Sequence, residues 1–75
     1  MSEQRSFLDQ VRRSLPHHLS YGVAQCAGMT LHQLQQTIAG AYVPDNDQLV
    51  ALARRMHLPV PAANLRQWAA QRRAA

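Results

Sequence analysis

Apolar positions recur along this chain at helical spacing, and turn residues break them into five segments. Phe7, Leu8, Val11 and Leu15 form the first stripe and predict a helix over 2–14. Ser2 is placed to cap it, and Glu3 to complement its positive end. Pro16 disfavours helix at Leu15 and should end the element there. A short second helix is expected over 20–27, with Ser20 as cap and Val23, Ala24 and Ala27 facing inward. Gly22 in its first turn weakens it by about 1 kcal/mol relative to Ala, and an earlier start at Pro16 stays open. Gly28 marks a turn that needs φ > 0. The third helix, over 30–39, begins with Thr30 and Gln33 in capping-box register. Met29, Leu34 and Ile38 mark its inner side, with Leu31 on the flank, and Gly40 ends it. A fourth helix starts after Asp45, with Gln48 three residues on, and buries Leu49, Val50, Leu52, Ala53 and Met56. His57, Leu58 and Pro59 close it. Pro61 opens a fifth at its first helical position. There Leu65, Trp68, Ala69 and Arg72 share one side, and Trp68 either packs on the domain or forms a dimer seam.

The predicted fold class is therefore all-α, a small five-helix bundle in one domain spanning 1–75. Within it, two short helices joined by a tight turn over about 20–40 have the shape of a helix-turn-helix. Ala24 is small enough for the third helix to cross closely. The chain ends in mid-helix composition with no stop signal. That reads as a DNA-binding fragment of a longer protein, or as an end that frays.

The outward side of the third helix changes the picture from fold to function. Thr30, His32, Gln33, Gln35 and Gln36 give it a polar, uncharged surface. Gln can bond adenine N6 and N7 together, and His can donate to guanine acceptors. His32 and Gln36 fall opposite Leu34. These five are the candidate base-reading residues. Gln is also simply a good solvent-facing helix former, so the reading leans on the turn and the charge. The formal charge is +4 at pH 7, with eight cations that are all Arg. That balance favours a polyanionic partner, and guanidinium suits phosphate or guanine. Candidate phosphate contacts are Arg12, Arg13, Ser20, Tyr21, Tyr42 and Asn46. For Tyr42 the alternative is a ring laid over the core.

At these residues the chain resembles the Cro/cI-type (XRE-like) helix-turn-helix family. The likeness runs through Val23-Ala24, Ala27-Gly28-Met29-Thr30, Leu34 and Gly40, then Pro44, Leu49-Val50, Leu52-Ala53, Met56 and Leu58. From Ala24 to Leu58 the spacing fits without a gap, over roughly half the chain. Thr37 stands where that family usually has an aliphatic residue, Ile38 where it often has Glu, and His57 where it often has Gly. The approach to the second helix, around Leu19-Ser20-Tyr21-Gly22, is one residue short. The resemblance implies base reading by residues of the third helix, and a bacterial, plasmid or phage repressor as the biological role. In size, composition and fold the chain also resembles the N-terminal part of StbA-like plasmid stability proteins. That likeness implies gene silencing and plasmid segregation through binding to repeated sites, side by side or as a homodimer.

Other classes find little to stand on. No Gly-rich phosphate loop or C-x-x-C is present, and two of the four acidic residues, Glu3, Asp9, Asp45 and Asp47, read as caps. The expectation is a non-enzyme with no cofactor. His17-His18 and the single Cys26 match no zinc spacing, so no metal is expected. Cys26 reads as a small core hydrophobe, and one thiol without a partner fits a reduced compartment. With no targeting segment or membrane-length apolar run, the expected location is cytoplasmic, associated with nucleoid or plasmid. The competing class is a protein-interaction module of antitoxin or phage accessory type, using the fifth helix and Trp68.

Overall fold

The computed structural model describes residues 3–74, with side chains described for 5–72. Five helices form in the predicted order: α1 (Glu3–Ser14), α2 (Tyr21–Cys26), α3 (Leu31–Ala39), α4 (Asn46–Arg55) and α5 (Ala62–Ala74). The structure is 72% helical. Its radius of gyration, 11.7 Å, matches the roughly 11 Å expected of a packed domain of this length. Ser2, the expected cap of α1, lies outside the described residues.

Local chemistry sets the helix starts. The Ser20 hydroxyl accepts from the Val23 N–H at 3.2 Å. Thr30 and Gln33 exchange both capping-box bonds, at 2.9 and 3.0 Å, and Asp45 and Gln48 do the same at 3.1 and 2.9 Å. Each box satisfies two backbone donors that a helix start would otherwise leave open. Pro16 does end α1, but the chain continues as a 3-10 turn over Leu15–His17, so α2 begins at its Ser20 cap and not at Pro16. Pro61 precedes α5 by one residue, and its carbonyl accepts from the Leu65 N–H.

Three helices end in one way. At α2 the Met29 N–H reaches back to the Ala24 carbonyl and the Gly28 N–H to that of Gln25, with Gly28 at φ +66°. At α3 the Ala41 N–H reaches Gln36, with Gly40 at φ +82°. At α4 the Leu58 N–H reaches Ala53, but the left-handed residue is His57, at φ +59°. The geometry needs a residue that tolerates positive φ, which glycine does and a Cβ does not. His57 thus carries the strain that the other two ends avoid. His57→Gly is expected to stabilise the domain by about 0.5–1 kcal/mol, relief of strain outweighing the added chain entropy. Gly28→Val should destabilise it, because a β-branched residue is strained there. Urea midpoints of the two variants should move in opposite directions. A fall for His57→Gly would contradict this account of α4.

Val11, Leu15, Leu34, Val50, Leu52 and Thr37 are the largest fully buried side chains. Helix α3 packs on α1, on α2 and on the 3-10 turn, while α4 packs on α1, α2 and α5. Two expectations about these faces are corrected. On α3 it is Thr37, 0% exposed, that points to the centre, while Ile38 packs against the core from the side and is half-buried. The Thr37 hydroxyl donates to the Gln33 carbonyl at 2.8 Å, so it enters an apolar core with its hydrogen bond made locally. On α5 the side turned to α4 is led by Asn64, 2% exposed, while Leu65 is exposed. The Asn64 amide donates to the Asn46 side-chain carbonyl at 2.6 Å, and Asn46 donates to the Asn64 backbone carbonyl at 3.1 Å. This polar pair offsets the weak apolar stripe of an Arg- and Ala-rich helix. Cys26 is also not core: it is exposed at the end of α2, and its thiol faces the Ala51 carbonyl at 3.7 Å.

Candidate nucleic-acid interface

The outward surface of α3 follows from which residues anchor it. With Leu34 and Thr37 inward, His32, Gln35 and Ala39 are exposed, and Gln33 and Gln36 sit half-buried on one flank. The centre of the open face is thus turned by about one third of a residue step from the Leu34-only axis. His32 and Gln35, three residues apart, are neighbours on it. Gln36 stands at its edge and is not a fully solvated residue.

The five candidate base readers are brought together on α3 and its cap but differ in freedom. Gln33 spends its carbonyl on the Thr30 N–H, which leaves the amide NH₂ as a donor. The Thr30 oxygen accepts from the Gln33 N–H, which leaves the hydroxyl proton. The backbone carbonyl of Gln36 closes the helix end by accepting from Ala41 and Tyr42. By exposure, His32 and Gln35 are the most open pair on the face, with Gln36 half-buried beside them.

The phosphate candidates are scattered more widely. Ser20 and Tyr21 stand together at the start of α2, with Tyr21 72% exposed. Arg12 is half-buried: its Nε donates to the Thr37 carbonyl at 3.1 Å, and it pairs with Asp9 at 3.6 Å. It holds α1 to the C-terminal half of α3, where a cation also suits the helix dipole. Arg13 is exposed and shares the outer side of α1 with Ser6, Asp9 and Gln10. The Tyr42 ring packs on the core and its hydroxyl donates to Gln48 at 3.0 Å. That is the ring-over-core alternative. The Asn46 side chain is held by Asn64.

One cation at this surface had no local signal. Arg55, at the end of α4, lies over α2, where its guanidinium would stand 3.5 Å from a Cβ placed on Gly22. It helps line a groove with Pro16, His17, His18, Leu19 and Ser20. A Cβ at Gly22 would meet the guanidinium only at ordinary van der Waals distance, and the contact joins residues too far apart in sequence for periodicity to register. Among the described residues no group of three His, Cys, Asp or Glu comes together, and no helix is long and apolar enough to cross a membrane.

No family model, curated protein or solved structure matches this chain.

Proposed function

We propose that this domain binds duplex DNA sequence-specifically, with α3 in the major groove and the start of α2 against the backbone. The observation that carries the reading is the α2–turn–α3 unit itself. Its turn at Gly28 is closed by two backbone bonds, and the helix that follows offers His32 and Gln35 to solvent. A helix anchored on one side and polar on the other is the element a major groove admits. The +4 charge and the position of Arg55 beside the start of α2 support the same partner. Within this proposal the chain is a Cro/cI-type regulator, a repressor of plasmid or phage type working in the cytoplasm on nucleoid or plasmid. Binding to repeated sites, as in plasmid stability systems, would be its extended form.

Salt separates this from a protein-interaction role. Anisotropy of a labelled random-sequence duplex should show log Kobs falling steeply with log [salt], by about 0.9 per phosphate neutralised. A flat salt dependence, or no binding at low salt, would leave an interface centred on Leu65 and Trp68 as the better account.

A further inference from the structure

We propose that Arg54, Arg55 and Arg72, gathered on and beside the Trp68 ring, form a second phosphate-binding surface. It would grip the DNA backbone outside the stretch that α3 reads. The inference rests on the duplex-DNA reading above.

The Arg54 guanidinium stands 4.6 Å from the centroid of Trp68, and that of Arg72 stands 4.8 Å from it. The two cations therefore lie within about 10 Å of each other, about a Debye length at 0.1 M salt, and repel. Cation–π attraction to one indole offsets that cost. It also fixes two long side chains, so less freedom is lost when they bind an anion. A guanidinium held by a ring and not by a carboxylate keeps N–H donors for contact with phosphate. Among the described residues none of the three has a carboxylate partner. Asp9 pairs with Arg12, Asp45 caps α4, and Asp47 accepts from the Gln71 amide. The groove that holds Trp68 thus carries unbalanced positive charge.

Continuity decides the class of anion. Arg55 lines this groove and also the one at the start of α2, beside His17 and His18. A basic track therefore runs from the proposed backbone contact of α2, across α4, to α5. Helix α5 packs on α4 and not on α3, so the far end of the track lies away from the reading helix. A long polyanion can follow such a path. A short acidic peptide has no need of the α2 end.

The test compares a duplex just covering the selected site with one extended by about one helical turn, 10 bp, on each side. Trp68 is the single tryptophan, so its emission reports on this groove alone. The proteins are the wild type, the double variant Arg54→Gln/Arg72→Gln and, as control, Arg66→Gln, an exposed arginine on α5 that does not line the groove. Circular dichroism checks each fold. The extended duplex should bind wild type several-fold tighter, change Trp68 emission and steepen the salt slope by about one to two units. The double variant should lose that increment and bind the short duplex normally, while Arg66→Gln keeps it. If the short duplex binds and extension changes nothing, this proposal falls and the reading by α3 stands. If wild type binds neither duplex, both fall. If poly-glutamate shifts Trp68 emission and the extended duplex does not, the surface serves an acidic protein segment and the proposal is overturned.

Discussion

Leu34→Ala should cost the domain about 2–5 kcal/mol. A chain of this length holds only roughly 4–11 kcal/mol in total, so much of the population should unfold at moderate urea. The effect is large because α3 has so few anchors. Its two buried residues are Leu34 and Thr37, and only Leu34 brings a large apolar side chain. Leu31 and Ile38 are half-buried and cannot replace it. Leu34 belongs to one buried cluster with residues of α1, α2 and α4, and α3 itself packs on α1, α2 and the 3-10 turn, so collapse around the cavity would have to move several elements. Leu34→Met keeps the volume and should cost less than about 1.5 kcal/mol. Urea denaturation of both variants gives the comparison. Similar midpoints for Ala and Met would show that α3 does not depend on this contact.

Replacing His32 and Gln35 by Ala should remove sequence preference and spare the fold. Both are exposed, and Ala is a better helix former than either. A well-made base contact discriminates by about 1–3 kcal/mol, or roughly tenfold to more than a hundredfold. Each single variant should therefore weaken binding to the selected site by that factor and relax preference at its own base pair. The double variant should approach the affinity for random duplex. Gln36→Ala should do the same to a smaller extent from the edge of the face. Gln33→Ala is a poorer test, because loss of the capping box would mix with loss of reading. If His32→Ala and Gln35→Ala keep full preference with an intact helical spectrum, α3 is not the reading element. The interaction-module account then gains.

What the chain announced locally, the fold obeys. Ser20, Thr30 with Gln33, and Asp45 with Gln48 cap as their types and spacings require, since each bond lies within three residues. Gly28 and Gly40 stand at helix ends for a reason their own backbone supplies. The stripes of α1 and α4 were legible because large aliphatic residues dominate them. The rotation of α3 was harder. A hydropathy reading favours Ile38, but Thr37 can bury itself once its hydroxyl bonds one turn back. At α5 the deciding partner, Asn46, is distant in sequence, and no periodicity reveals an amide pair. The candidate site divides the same way. The residues of α3 were visible as a polar face, whereas Arg55 over Gly22 and the arginines around Trp68 come together only in the folded chain.

The central claim is that α3 reads duplex DNA, and selection from a random duplex library tests it most directly. The enriched sequence is then titrated beside a scrambled duplex of equal length at one fixed salt concentration. The account predicts a single enriched motif, bound on the order of 10³-fold tighter than the scrambled duplex. Failure to enrich any motif, or equal affinity for the two duplexes, would contradict it.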